Sequence, residues 1–371
     1  MREGGIPASS GADLPGLGLH ELGWSAERSA AFASHALAGL IPGRVVSSGG
    51  ATMAATRDGL VEVILQRRYR RDVGDLVDLP AVGDWLALQK VCVDPPIAAL
   101  RAVLPRAGVF ARHRPADDGS QVLAANVDIA FLVSGLDHDL NLRRLERYLV
   151  LAFDGGVTPV VVLNKADVAN HLDTTVSEVH RIAAGTRIVV ASALVGTGMD
   201  ELRSLLQPGA TSCLLGSSGV GKSSIINALL GHDRQVVHAL REDDSKGRHT
   251  TTRRELFRVP GAGLLIDTPG LRTVGVLALQ SGLAASFGEV EALARRCRFT
   301  DCRHEAEPGC AVQAAVDRGT LDADRLASHR KLEAERRWTE LREDTRARRE
   351  ADRRFGRMVR DAARAARARQ T

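Results

Sequence analysis

Two rhythms of apolar and polar positions divide the chain. Between residues 42 and 112 the apolar residues come in short bursts broken by Gly and Asp: Arg44-Val45-Val46, Ala51 to Ala55, Leu60-Val61-Glu62-Val63-Ile64-Leu65 and Val82-Gly83-Asp84-Trp85-Leu86-Ala87-Leu88. Short strands with glycine turns, packed this densely, predict a small β-barrel of the OB type. From residue 116 the bursts lengthen. Asp128-Ile129-Ala130-Phe131-Leu132-Val133, Val157 to Leu163 and Arg187 to Ala191 are near-continuous apolar runs, as parallel strands covered on both faces require. Between the first two lies Asn141 to Phe153, where Leu142, Leu145, Leu149 and Phe153 repeat at helical spacing. Cys213-Leu214-Leu215 is a further buried strand, and Ser224 to Leu230 opens a helix. Residues 1–41, rich in Gly, Ala and Pro, read as a flexible arm with a short helix at Ser25 to Leu40. Leu321 to Arg369 contains no proline and only Gly356, so a helix is predicted there.

The length of 371 residues allows two or three domains, and 44% hydrophobic residues suffice for real cores. No apolar run is long enough to span a bilayer, so no membrane association is expected. Met1 to Pro15 lacks the basic and apolar regions of a secretory signal. Five cysteines, an odd and sparse set, argue for a reducing compartment and a cytoplasmic location. The net charge of +5 is unevenly placed: residues 341–371 hold eleven Arg against five Asp and Glu. Clustered positive charge suits an anionic partner such as nucleic acid. Arg67-Arg68-Tyr69-Arg70-Arg71 surrounds an aromatic ring with charge, which fits RNA contact and equally a solvated, aggregation-resistant strand edge.

The chemistry concentrates at strand ends. Gly216-Ser217-Ser218-Gly219-Val220-Gly221-Lys222-Ser223 matches the phosphate-loop pattern and runs on into Ser224. Its glycines let backbone N–H groups curl around phosphate oxygens; Lys222 reaches the β- and γ-phosphates, and Ser223 holds Mg²⁺. A Gly/Ser turn can match by accident, but here a strand precedes it and a helix follows. Asn164-Lys165-Ala166-Asp167, after the second parallel strand, is the N-K-x-D element that reads guanine. Its carboxylate accepts from N1–H and the exocyclic amine, a donor pair adenine lacks. Ser192 and Ala193 resemble the loop that also touches the base. Asp267-Thr268-Pro269-Gly270 ends a strand, with Asp267 ordering Mg²⁺ and the Gly270 N–H sensing the γ-phosphate. One of Thr250 to Thr252, here taken as Thr251, is the expected switch ligand to Mg²⁺. The order N-K-A-D, S-A-L, phosphate loop, threonines, D-T-P-G is a circular permutation of the usual GTPase order. Cys297, Cys302, His304 and Cys310 form a Cys₃His set within 14 residues, fit for one structural Zn²⁺ per chain; a chance group of buried thiols is the plain alternative. Cys92 and Cys213 read as ordinary buried residues.

A barrel, a permuted G domain in this order, Gly247-Arg248-His249-Thr250-Thr251-Thr252 and the Cys₃His motif together resemble the ribosome small-subunit-dependent GTPase family over residues 42 to about 312. The resemblance implies a multidomain protein with an OB-fold (42–112), an α/β permuted P-loop GTPase domain (113–280) and a mostly α-helical zinc-binding domain (281–371); the flexible arm (1–41) and the basic helical tail that ends the last region go beyond the family's core pattern. It implies a cytoplasmic, rRNA-binding monomer that hydrolyses GTP to GDP and phosphate in late maturation of the 30S subunit, stimulated by that subunit. Leu271 stands where many GTPases carry a water-orienting Gln. His249 is then the candidate to orient or deprotonate water, or else a solvent-exposed loop residue. Switch II, leading into the zinc domain, is expected to act as a lever, and the Arg-rich end as an RNA arm. A GTP-regulated RNA chaperone or tRNA-binding module without a ribosomal activator remains open on these residues. An ATPase is disfavoured by N-K-A-D.

Overall fold

The computed structural model describes residues 14, 17–65, 79–91, 94–114, 119–137, 139–231, 254–267 and 280–341. It divides into two compact units, Met1–Gly275 and Val276–Thr371.

The first unit opens with helix α1 (Ala26–Leu37), started by Ser25, whose hydroxyl accepts from the Arg28 N–H. Strands β1 (Ile41–Ser48), β2 (Met53–Thr56), β3 (Gly59–Ile64), β4 (Trp85–Val91) and β5 (Ile97–Val103) follow. They close in the order β1-β2-β3-β5-β4-β1, antiparallel except β3 with β5. This is the five-stranded OB-type barrel expected from the bursts. Strand β5 was not legible: Ile97-Ala98-Ala99-Leu100 favours no strand by propensity, and burial in the barrel overrides that preference.

The described part of residues 1–41 corrects the expectation of a flexible arm. Leu14, Leu17, Leu22 and Phe32 are buried, and Trp24 stacks edge-on against Trp85 at 4.7 Å and Phe32 at 5.7 Å. A composition rich in Gly and Ala concealed a handful of large apolar side chains, and these decide the packing.

A two-stranded hairpin, β6 (Phe110–Arg114) with β7 (Gly119–Ala124), leads into the α/β part. There the elements run β8 (Ile129–Gly135), α2 (Leu142–Asp154), β9 (Thr158–Asn164), α3 (Leu172–Ile182), β10 (Arg187–Val190), α4 (Met199–Leu205), β11 (Thr211–Leu215), α5 (Lys222–Leu230), β12 (Arg254–Arg258) and β13 (Leu264–Asp267). Their order across the sheet is β10-β9-β8-β11-β13-β12, parallel except for β12. Strand β11, which leads into the phosphate loop, is central in the sheet, between β8 and β13. Residues 206–210 make the turn from α4 into β11. Phe131, Val162, Val189, Leu214, Ile226 and Leu265 belong to one buried cluster under these elements. The barrel and this sheet are continuous, because β1 also pairs antiparallel with β12.

The second unit is helical among the described residues: α6 (Gln280–Ser286), α7 (Gly288–Ala294), α8 (Ala311–Asp317) and α9, residues 323–341. Phe287, Val290, Val312, Leu326 and Leu332 are buried. The Arg325 guanidinium lies 4.0 Å from the Phe287 ring centroid and bonds Glu289 at 2.7 Å. The cluster Arg67 to Arg71, Cys92, residues 247–252, 268–271 and 342–371 lie outside the described residues.

Candidate functional site

Strand β11 ends at Leu215, and after six intervening residues α5 begins at Lys222 with Gly221 as its N-cap. Gly219 and Gly221 have φ of +81° and +92°, which open the turn that a phosphate needs. A Cβ on Gly216 would lie 2.5 Å from Val133 O, and one on Gly221 2.3 Å from Asn164 Nδ2, so neither position has room for a side chain. The Lys222 ammonium folds back over the loop, donating to Gly216 O at 2.7 Å and to Ser217 O. A helix N-terminus behind a glycine-rich turn, with an ammonium held above it, is a ready anion site. Ser217, Ser218, Val220, Ser223 and Ser224 complete the loop and the first turn of α5.

The N-K-A-D segment is joined to this loop by Asn164, which is 2% exposed. Its carboxamide donates to Val220 O at 2.8 Å and accepts from the Ala193 N–H at 3.1 Å. Asn164 thus ties together three predicted segments: its own strand end, the phosphate loop and the Ser192-Ala193 loop. Lys165 takes a left-handed conformation, φ +65°, which turns the chain away from β9. Asp167 is exposed, and the buried Ser192 hydroxyl donates to its Oδ1. A carboxylate steadied on one oxygen and open to solvent can accept the paired donors of guanine.

Two carboxylates that sequence reasoning missed brace this arrangement. In the turn after β8, Asp137 bonds the Lys165 ammonium at 2.5 Å, and Asp139 accepts from the Ser217 hydroxyl at 2.6 Å and pairs with Arg144 at 3.0 Å. Burial raises the Asp137 carboxyl, but the Lys165 hydrogen bond and the Asp139 N–H outweigh it and hold it below the usual carboxylate range. The available signal was their place beyond the carboxyl end of a parallel strand, where such folds bind ligands.

Asp267 ends β13, next to β11 in the sheet through the pair Cys213 and Ile266. It therefore stands at the same edge of the sheet as the phosphate loop. The Ser223 hydroxyl and the Asp267 carboxylate are hard oxygen donors of the kind Mg²⁺ takes. His249, Thr251 and Gly270 fall outside the described residues, so the set is seen only in part. Cys213 is fully buried in β11, and burial pushes its thiol well up, as an ordinary core residue.

In the second unit, Cys297, Cys302, His304 and Cys310 bring their donor atoms within 4.8 Å of one another. Cys297 Sγ lies 3.9 Å from Cys310 Sγ, and His304 Nδ1 lies 3.6 Å from each of those sulfurs. A tetrahedral zinc with bonds of about 2.3 Å to S and about 2.0 Å to N puts sulfurs about 3.8 Å apart and S–N pairs about 3.5 Å apart. The donors fit that tetrahedron, and 3.9 Å is far beyond the roughly 2.05 Å of a disulfide. The loop is built for the purpose. His304 sits at φ +61°, and the Gln313 N–H donates to Cys310 Sγ. The Arg303, Glu305 and Ala306 N–H groups converge on Glu307 and hold its carboxyl at about 2. These four residues can hold a metal ion.

Residues 103–277 match the family model described as RsgA GTPase. A protein of Opitutus terrae named small ribosomal subunit biogenesis GTPase RsgA is 44% identical over 336 residues, covering 88% of this chain and 92% of its own length. The chain belongs to the RsgA GTPase family. A Streptomyces avermitilis RsgA is 45% identical over 315 residues, 84% of this chain and 83% of that protein. Among solved structures, YjeQ from Thermotoga maritima is 27% identical with a TM-score of 0.59, covering 80% of this chain and 98% of its own. A YloQ structure, described as a circularly permuted GTPase, shares the fold with a TM-score of 0.56 at 21% identity, over 80% of this chain and 95% of that one. Membership in the RsgA family makes the chain a GTP-hydrolysing enzyme and bears out the OB barrel and the permuted G domain. The Cys₃His cluster fits the zinc domain expected beside them. Among the described residues no helix is long and apolar enough to cross a membrane.

Proposed function

We propose that this chain hydrolyses GTP to GDP and phosphate during late maturation of the 30S ribosomal subunit, and that the subunit stimulates it. The carrying observation is the Asn164 bridge, which makes the guanine-reading segment and the phosphate loop one surface. Relatives named as small-subunit biogenesis GTPases, alike over most of the chain, support the ribosomal part.

In this reading Asp167 accepts the two donors of guanine, with Lys165, Ala166, Ser192 and Ala193 around the base. Residues 216–224 hold the phosphates, and Lys222 offsets charge on the β- and γ-oxygens. Ser223 and Thr251 would ligate Mg²⁺ directly and Asp267 through water, while the Gly270 N–H meets the γ-phosphate. Mg²⁺ held by these residues would supply positive charge against the transferred phosphoryl group. Leu271 offers no hydrogen bond to the attacking water, so His249 orients it, and unaided turnover is slow. Cys297, Cys302, His304 and Cys310 hold one structural Zn²⁺. The protein acts as a cytoplasmic monomer on rRNA, and the Arg-rich residues after 340 add salt-dependent RNA contacts. The extents 42–112, 113–280 and 281–371 remain the proposed domain limits, with switch II a lever between the last two.

The test is phosphate release from GTP with 30S subunits, with 50S subunits and with neither. Strong stimulation by 30S alone is expected. Equal slow rates in all three would overturn the ribosomal reading and send the search for an activator to free structured RNA.

A further inference from the structure

One buried side chain of the first unit joins the N-terminal segment, the barrel and the α/β part. Arg44, in barrel strand β1, is 1% exposed. Its guanidinium donates to Leu22 O in the N-terminal segment, to Gly83 O at 3.2 Å in the barrel, and to Asn126 O at 3.3 Å and Thr211 Oγ1 at 2.8 Å in the α/β part. It also lies 5.6 Å from the Trp85 ring centroid. A buried cation is tolerated only when its donors are satisfied, and here the acceptors come from four separate stretches of chain. Burial, with the nearby charge of Arg28 adding to it and Asp128 and Asp84 opposing, pushes this guanidinium down to about 9, so it stays charged at neutral pH.

Two of these features lead to the GTPase centre. Thr211 is the first residue of β11, the strand that ends in the phosphate loop, and it pairs with Leu264 at the start of β13. Three residues beyond Arg44, Ser47 pairs with Glu255 of β12, and Glu255 pairs with Asp267 of β13. One cross-strand row, Ser47-Glu255-Asp267, therefore runs from the barrel to the carboxylate proposed for Mg²⁺. At about 4.8 Å per strand it is only about 10 Å long. A ladder position is set by its hydrogen-bonded neighbours, so a shift of β1 is passed to Asp267 by backbone geometry.

We propose that Arg44 is a positioning residue of the GTPase centre: it locks β1 to the foot of β11, and the row Ser47-Glu255-Asp267 carries that placement to the Mg²⁺ side of the site. The barrel is on this account a control arm of catalysis, and whatever binds it acts on turnover. The inference rests on the Mg²⁺ reading of Asp267. Base and phosphate contacts do not lie on the row, so nucleotide affinity without Mg²⁺ should be spared.

The test compares the wild type with Arg44→Met, Arg44→Lys and the milder Thr211→Val. In Arg44→Met, kcat at saturating GTP falls about tenfold and half-maximal activity needs severalfold more Mg²⁺. GDP affinity measured in EDTA stays within about twofold of the wild type, and Arg44→Lys recovers part of the loss. Thr211→Val shows the same pattern more weakly. Wild-type kcat and Mg²⁺ dependence in a folded variant would overturn the proposal; so would an equal fall in Mg²⁺-free GDP affinity, the mark of general damage. If Arg44→Met does not fold, hydrogen exchange on the wild type decides. Coupling is reciprocal, so residues 44–48 should exchange differently with GDP and with a non-hydrolysable GTP analogue, both with Mg²⁺. Identical exchange would refute the coupling. Asp267→Asn is measured alongside: unchanged Mg²⁺ dependence there overturns the Asp267 reading and the proposed route with it, whereas a raised Mg²⁺ requirement in Asp267→Asn beside wild-type behaviour of a folded Arg44→Met overturns the route alone.

Discussion

Replacing Asn164 by Ala separates a nucleotide site built as one surface from two motifs that merely lie close. The carboxamide makes two bonds, to Val220 O at 2.8 Å and from the Ala193 N–H at 3.1 Å. It is buried, so truncation leaves a carbonyl and an N–H facing a gap the methyl group does not fill. Each net hydrogen bond is worth about 1 kcal/mol, and together about 2 kcal/mol of organisation is lost. At about 1.4 kcal/mol per decade, GDP should bind roughly 30-fold more weakly. Neither bond involves the reacting phosphoryl group, so ground and transition states suffer alike: KM rises and kcat at saturating GTP holds. Titration with a fluorescent GDP and steady-state kinetics read both quantities, and a melting curve shows that the chain still folds. Binding within threefold of the wild type would refute the bridge. A fall in kcat with KM unchanged would place Asn164 in the chemistry instead.

Gly221→Ala meets a left-handed φ of +92° and a contact of 2.3 Å with Asn164 Nδ2, so GDP binding should drop by more than about 100-fold, read by the same titration. Asp137→Asn removes the charge that anchors Lys165; for this partly exposed pair the loss is about 1 kcal/mol, about fivefold in GDP affinity, and an unchanged affinity would show that Asp137 is a bystander. Cys302→Ala should bring zinc from one ion per chain to none by elemental analysis while GDP titration of the first unit stays normal, and retained zinc would disqualify the tetrahedral set. His249→Ala should abolish most of the 30S-stimulated turnover and leave GDP affinity intact; full stimulated turnover returns His249 to the surface-loop reading.

What could be read from the residues divides along physical lines. The phosphate loop is contiguous, and its chemistry is fixed by glycine and lysine spacing, so Gly216 to Ser223 was legible without the fold. Asn164 was recognised through its motif, but its bond to Val220 joins residues 56 apart and appears only when β9 and β11 are placed in one sheet. Asp137 and Asp139 carry no spacing signal; two acids in a polar turn after β8 become braces because Lys165 and Ser217 arrive beside them from elsewhere. Branched and aromatic residues announced β1, β3 and β4, and the run Ala51 to Ala55 announced β2, whereas the alanines of β5 gave no such signal. The N-terminal segment misled for a related reason. Its average composition is that of a linker, and packing is decided by Leu14, Leu22 and Trp24 individually.

The permuted order also answers a question about edges. In this sheet β12 is the outermost strand beside β13 and the one antiparallel member, and it follows directly on the switch threonines. An outer strand with free N–H and C=O groups invites pairing with other chains. Here β1 covers its first two residues through Ser47 with Glu255 and Ser48 with Arg254. The permutation makes this possible. With β8 as the first strand of the α/β part, the chain enters from the barrel by way of the β6–β7 hairpin, and the barrel's own first strand lies against the far side of the sheet. The barrel thus touches the α/β part at its point of entry, where the Ala125 N–H donates to Val82 O, at the foot of β11 through Arg44, and again at β12. A domain held at several separated points resists hinging more than one held by a linker. Such a mount suits a barrel that acts on catalysis through strand register rather than by swinging onto the nucleotide.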